Sequence, residues 1–186
     1  MSQTLTDRLK AIKNTPGTGE NVLIAEINAA FDKFDNHFIP ACSIWSSIDQ
    51  SIPNNTITAL LYNTTILDTY AARSEGPMAD LVNDWIIIRK PGLYWIHANG
   101  IWVAGVAAGI LRFNMAINGT VNNSIFDGPQ AAAKSQDIFQ KQVLAAGDKI
   151  TCSVQQSQGS ARLLTNNTYQ NVFKLSAVWL GGATEV

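Results

Sequence analysis

Charged residues are scarce in this 186-residue sequence, where Asp, Glu, Lys and Arg together make up 15 %. That share is well below the roughly one quarter that is usual in globular proteins. A chain with so few charges has little polar surface, which favours burial of part of its surface between subunits. The net charge is −1 and no Lys/Arg cluster occurs. Because nucleic-acid binding depends on such clusters, we predict no nucleic-acid partner.

Cysteine and long apolar runs are scarce too. Cys42 and Cys152 lie far apart in the chain, which fits neither a metal-binding spacing nor a disulfide framework, so we expect two packed thiols. The apolar runs are too short to cross a bilayer. The opening residues "MSQTLTDRLK" lack the apolar core of a signal peptide. We therefore predict no membrane insertion and no secretion signal.

Motifs of catalysis are also missing. No Gly-x-Ser-x-Gly, His-Glu-x-x-His or glycine-rich phosphate loop occurs. Of the two histidines, His37 lies at a predicted helix end and His97 in a predicted buried strand, where structural roles are expected. The acidic residues in 68–84 fall in predicted loops rather than in a cleft. We predict a non-enzymatic protein with no catalytic site, metal site or cofactor, and a glycan-degrading enzyme is the least favoured alternative.

Residues 1–39 carry a helical pattern that "NTPGTG" interrupts. In the second half of this segment the apolar residues are spaced three, four, three, four, as in a coiled-coil seam. They are Ile24, Ile27, Phe31, Phe34 and Phe38. The spacing predicts that residues 1–39 form a helical segment that associates with other copies of itself. An amphipathic helix that lies on its own domain is the alternative.

Residues 40–186 are typical of an all-β domain. The stretch "LRFNMAINGTV" alternates apolar and polar residues and ends in Asn118-Gly119, a strong hairpin signal. Two further strands flank "KPG", and another pair flanks "AAGDK". Eight to ten strands at this spacing predict an antiparallel jelly-roll sandwich, preceded by the short helical segment.

One predicted strand, in "PGLYWIHANGIW", is apolar on both sides. One set of alternate positions has the composition of a core: Tyr94, Ile96 and Ala98. The other set is also largely apolar: Leu93, Trp95 and His97. Since a strand with one side in water alternates apolar and polar residues, the second set needs a cover. We predict that other copies of the same chain supply it.

Five motifs occur in the order found in a known family of trimeric heads. They are "ITALLYNTTILDTY", "KPGLYWIHANG", "LRFNMAINGTV", "LAAGDKITCSV" and "VFKLSAVWLGG". Over residues 42–182 the chain resembles the globular jelly-roll head of the complement q subcomponent and of the tumour necrosis factor superfamily. Trp85 stands where that family usually has Phe, and no acidic cluster matches its calcium ligands. The resemblance implies a homotrimer with one sheet facing the three-fold axis.

The N-terminal segment carries a second resemblance. The stretch "LTDRLKAIKNTPGTGENVLIAEINAAFDKFDNHFIP" resembles the start of minor tail or fibre proteins of tailed bacteriophages, in which a short anchoring segment precedes a β head. This implies a virion structural protein that other virion proteins hold through its N-terminal segment. Its head would decorate the particle or bind a host-surface glycan or protein. The alternative is a secreted or cell-surface trimeric adhesion or ligand module.

The predicted loops supply candidate receptor contacts. They span 63–84, 104–109, 122–136 and 158–169. Aromatic and guanidinium side chains dominate binding hot spots, and those of these loops are Tyr70, Arg73, Phe126, Arg162 and Tyr169. The alternative is that these side chains only pack the loops.

Overall fold

The computed structural model describes residues 38–104, 109–128, 132–165 and 173–182. These ranges form thirteen β-strands: β1 (Ala41–Trp45), β2 (Gln50–Ile52), β3 (Thr58–Ala59), β4 (Thr64–Asp68), β5 (Ala79–Asp80), β6 (Trp85–Ile87), β7 (Gly92–Trp102), β8 (Leu111–Ile117), β9 (Thr120–Asp127), β10 (Lys134–Leu144), β11 (Lys149–Gln156), β12 (Arg162–Thr165) and β13 (Lys174–Gly181). The described ranges contain no helix, and so none that could cross a membrane. The helical pattern predicted for 1–39 lies outside them, apart from Phe38 and Ile39.

The strands form two antiparallel sheets, which confirms the predicted jelly-roll sandwich. The seven-stranded sheet has the order β2-β12-β7-β13-β1-β4, with β10 paired to β7. The six-stranded sheet has the order β5-β6-β11-β8-β9, with β3 paired to β11. Eight of the strands have five or more residues, in line with the predicted number. The others are short pairings of two to four residues.

Strand β7 organises the seven-stranded sheet. Strand β10 pairs with it along its whole length, from Lys134 opposite Trp102 to Leu144 opposite Gly92. On the other edge β13 pairs with residues 93–99, and β12 continues this pairing at Ile101 and Trp102. The eleven-residue β7 therefore lies between partners on both edges, and β10 is an edge strand of the sheet within the described ranges.

The turns differ in whether they stay within a sheet. Asn118 and Gly119 have φ angles of 52° and 79° and join β8 to β9 in a hairpin, as predicted, because a type I′ turn needs a positive φ at both central residues. The "KPG" stretch instead leads from β6 in one sheet to β7 in the other, and the segment from Ala145 to Asp148 likewise leads from β10 to β11. Neither is a hairpin.

The core lies between the two sheets. The predicted inward set of β7 is confirmed, since Tyr94, Ile96 and Ala98 are fully buried. The six-stranded sheet contributes a second set of buried side chains: Phe113, Met115, Ile150, Cys152 and Val154. Both cysteines are free and buried, as predicted. The side chains that alternate with the core therefore face outwards on each sheet.

Much of the sequence predicted as loop is strand. Strand β4 lies within 63–84, β12 lies within 158–169, and β9 with β10 occupies most of 122–136. The loop prediction for these stretches is wrong because their polar residues belong to strand faces that are exposed to solvent. The stretches 105–108, 129–131 and 166–172 lie outside the described residues.

Candidate functional site

The outward side of the seven-stranded sheet, which we call the open face, carries an apolar patch. Cross-strand pairing places its side chains in neighbouring rows, since directly opposite residues share a face. The rows join Val143 to Leu93, Lys141 to Trp95 and Val178, Phe139 to His97 and Ser176, and Asp137 to Asn99 and Lys174. No described part of the chain covers this side: Trp95 is 40 % and Phe139 55 % exposed.

An aromatic cluster forms the centre of the open face. The Trp95 and Phe139 ring centroids are 6.1 Å apart at an interplanar angle of 63°. The His97 ring stacks on Phe139 with centroids 4.4 Å apart and planes 4° apart. The ammonium group of Lys141 lies 5.5 Å from the centroid of the Trp95 ring. The three rings brace one another on rigid strands, so the patch is already formed in the single chain.

Polar groups border this cluster on one side. His97 Nε2 lies 3.2 Å from Asp137 Oδ1. The hydroxyl groups of Ser43 and Ser176, in the neighbouring strands β1 and β13, lie 2.9 Å apart. An apolar centre with a polar border that is already hydrogen-bonded is typical of protein–protein interfaces.

Phe139 is a member of this site that the sequence analysis missed. The sequence "DIFQKQVL" could have revealed it, because apolar residues occur in both sets of alternate positions, as they do in β7. Ile138 and Leu144 are buried, whereas Phe139 and Val143 are exposed. The neighbouring strands β7 and β10 therefore each present apolar side chains on both of their faces.

On the outward side of the six-stranded sheet, two aromatic rings each lie against a cation. The Lys149 ammonium group lies 4.1 Å from the centroid of the Trp85 ring. The Arg112 guanidinium lies 4.6 Å from that of Phe126. Phe126 is 57 % exposed and lies on β9 rather than in a loop. As an exposed aromatic residue, it stays a predicted receptor contact.

The structure contradicts the expected exposure of Tyr70. This residue is 4 % exposed, and its backbone amide donates to Asp68 Oδ1 over 2.8 Å. The Arg73 guanidinium lies 5.4 Å from the centroid of the Tyr70 ring, and Arg73 Nε lies 3.7 Å from Glu75 Oε2. Tyr70 therefore packs its segment, as the alternative had it. Arg73 is partly exposed, and its receptor role stays a prediction.

Arg162 is also buried, with 6 % of its surface exposed, which corrects its assignment to an exposed loop. Its backbone pairs with β2, and this pairing draws the side chain into the end of the sandwich. Tyr169 lies outside the described residues, as do Ile24, Ile27, Phe31 and Phe34. Phe38 is half-buried. The predicted roles of these six residues in binding or association stay predictions.

The two cysteine thiols are held in unreactive forms. Burial and the nearby Asp68 raise the pKa of the Cys42 thiol, and burial raises the pKa of Cys152 to about 12. The His97–Asp137 pair lies on an open sheet surface rather than in a cleft. The described ranges contain no cluster of three His, Cys, Asp or Glu residues that could hold a metal ion.

Comparisons with known proteins identify the fold. No protein-family model matches the sequence. No curated protein matches it either.

Solved structures do match. An Eiger TNF structure from S. frugiperda has a TM-score of 0.57 at 10 % identity, covering 78 % of this chain and 94 % of its own. The globular domain of zebrafish complement 1qA has a TM-score of 0.52 at 14 % identity, covering 76 % and 96 %. Murine APRIL has a TM-score of 0.54 at 14 % identity, covering 77 % and 100 %. The chain therefore has the jelly-roll fold of the TNF and C1q domains.

Proposed function

We propose that this chain is a non-enzymatic binding or structural module that associates as a homotrimer through the open face. The observation that supports this is the apolar patch around Trp95 and Phe139, which the described chain leaves uncovered. Removing apolar surface from water stabilises an assembly by about 25 cal/mol per Å². Because monomeric proteins rarely expose contiguous apolar patches, such a patch marks an interaction site.

Another copy of the same chain is the occupant that fits this patch best. The patch carries a cation, Lys141, beside an aromatic ring, and a carboxylate, Asp137, at its border. A symmetric assembly brings both kinds of charge to the same interface. A closed three-fold ring also leaves no copy with an unpaired patch. Three copies around an axis is the arrangement that the family resemblance implies.

For the biological setting, we propose a structural protein in the virion of a tailed phage. The support is the resemblance of residues 1–39 to virion anchoring segments. In this proposal the segment binds other virion proteins, and the head faces outwards to decorate the particle or to bind a host-surface glycan or protein. A secreted or cell-surface trimeric ligand or adhesion module is the second candidate, favoured by the fold shared with Eiger, APRIL and complement 1qA. Detection of the chain in purified phage particles, and its loss from them when residues 1–39 are deleted, would separate the two.

Two phenylalanines offer a matched test of the open face. Phe139 and Phe126 are 55 % and 57 % exposed, and they lie on edge strands of opposite sheets. We expect Phe139→Asp to convert the trimer into a folded monomer, because assembly would bury an unpaired charge. We expect Phe126→Asp to leave the mass unchanged. Native mass spectrometry and circular dichroism measure both; a trimeric Phe139→Asp variant would contradict the proposed interface.

A further inference from the structure

A small cavity opens at the end of the sandwich, beside the residues that follow β7. Its volume is about 270 Å³, which is just under the usual size range of small-molecule pockets. The lining consists of Val103, Ala104, Gln158, Ser160, Ala161, Arg162 and Leu163. These residues come from the chain just after β7 and from the approach to and start of β12. Among the described lining residues, Gln158, Ser160 and Arg162 carry the polar side chains.

Arg162 and Gln158 form the polar wall, and each is only 6 % exposed. Arg162 Nη1 donates to Gln158 Oε1 over 2.6 Å, and Nη2 donates to the carbonyl oxygen of Val103. The guanidinium carbon lies 6.0 Å from the centroid of the Trp102 ring. These contacts fix the guanidinium in place, yet both of its hydrogen-bond acceptors are neutral oxygens.

Two donors of this wall have no acceptor. Arg162 Nε and Gln158 Nε2 are buried and make no hydrogen bond. Buried polar groups are nearly always paired, so two orphaned donors on neighbouring side chains need an explanation. Both are N–H groups, and both belong to residues that line the cavity. The missing partner is therefore a hydrogen-bond acceptor.

The positive charge of Arg162 is also unbalanced. No carboxylate in the described ranges forms an ion pair with it, and burial lowers the pKa of its guanidinium. Asp127 is linked to Trp102 by two hydrogen bonds through the Gln136 side chain. Its carboxylate does not balance the charge of Arg162, because it pairs with Lys134, whose Nζ lies 3.5 Å from Asp127 Oδ1. Because an uncompensated buried charge is strongly destabilising, the cavity favours an occupant with one negative charge.

We propose that this cavity binds the carboxylate of a small organic acid, with Arg162 and Gln158 as its recognition residues. One guanidinium balances one negative charge, and its planar donors match a planar carboxylate. A phosphate dianion would bring a second charge, for which the described lining residues supply no second cation. Val103, Ala161 and Leu163 would contact the carbon body of the ligand. The site shares no residue with the aromatic cluster of Trp95, His97 and Phe139 at the centre of the open face.

The test uses the full-length protein and ligands that differ only in charge. Butyrate and its neutral analogue butyramide are titrated by calorimetry and by amide chemical shifts, with glucuronate as a sugar-acid probe and inorganic phosphate as a second anion. We expect butyrate, glucuronate or both to bind and to shift the amide signals of Val103, Gln158 and Leu163. Butyramide should bind at least about tenfold more weakly, because a charge-assisted hydrogen bond is lost. Phosphate should not bind.

Variants separate recognition from folding. Arg162→Met should remove carboxylate binding, and Arg162→Lys should weaken it because the lysine ammonium lacks the planar fork. Arg112→Met is the matched control, since it removes a guanidinium that also lies against an aromatic ring, on the other sheet. If Arg162→Met does not fold, the amide chemical-shift changes of the unmodified protein on titration decide whether the acid binds in this cavity. Equal binding of butyramide, binding of phosphate alone, or no shift at Val103 and Leu163 with either acid would overturn the proposal.

Discussion

The two cysteines show how burial sets the chemistry of single residues in this protein. Cys42 lies on β1 and Cys152 on β11, and both side chains are buried. Burial raises the pKa of each thiol, for Cys152 to about 12. Since the thiolate is the nucleophile, neither residue is available for covalent chemistry in the folded state. Their role is packing between the sheets.

We therefore predict that both thiols are protected from Ellman's reagent in the native protein at mildly alkaline pH. After denaturation in urea, both should react, because unfolding returns each thiol to an ordinary pKa and to solvent. The absorbance of the released thiolate counts them. Rapid reaction of the native protein would show that a thiol is exposed, and no reaction after denaturation would show that the two are bonded.

Among the elements, the β8–β9 hairpin depends most directly on a local signal. Asn118 adopts a positive φ of 52°, and its side chain also ties the turn to a neighbouring segment. Asn118 Nδ2 donates to Asp148 Oδ1 over 2.8 Å, and the backbone amide of Lys149 donates to Asn118 Oδ1 over 3.0 Å. One residue thus supplies both the turn conformation and a link to the start of β11.

We expect Asn118→Ala to lower the free energy of unfolding by about 1–3 kcal/mol, through backbone strain and lost hydrogen bonds. Asn118→Gly should cost less, because glycine adopts a positive φ without strain. Urea denaturation at one protein concentration measures both variants. The difference between them isolates the backbone conformation, and equal losses would show that the side-chain hydrogen bonds are the whole effect.

The sequence predicts where the strands lie better than it predicts which strands pair with one another. Asn118-Gly119 predicts its hairpin because the turn conformation is encoded locally. The "KPG" stretch also resembles a turn between two paired strands, but it joins strands of different sheets. The reason is that β7 pairs with β10 and β13, which lie far from it in the sequence. Tyr70 and Arg162 resemble exposed loop residues for the same reason. Their burial comes from strand pairing and packing that no local pattern encodes.

At the scale of the whole molecule, the two sheets have different outward surfaces. Strands β7 and β10 place Trp95 and Phe139 edge to face in one aromatic cluster, whereas Trp85 and Phe126 on the other sheet each lie against a cation, Lys149 and Arg112. The outward apolar residues of β7, which are visible in the sequence, thus lie on a surface of the single chain rather than in a second core. All residues of the open face lie within 40–186.

We predict that a chain beginning at Pro40 still forms trimers, because the open face is complete without residues 1–39. The same shortened chain with Trp95→Asp should be a folded monomer. Trp95 is partly exposed in the single chain, so the new carboxylate stays hydrated and near Lys141 until assembly would bury it. Size-exclusion chromatography with light scattering gives both masses. A monomeric shortened chain would assign association to the N-terminal segment instead.

The native mass of the purified full-length protein tests the central claim most directly. The open face predicts a single species at about three times the 20.2 kDa mass of one chain, stable on dilution into the micromolar range and dissociated by Phe139→Asp. Native mass spectrometry reads this mass without labels or partners. A monomer at all concentrations would contradict the account, because the patch around Trp95 and Phe139 would then face water with no second copy to cover it.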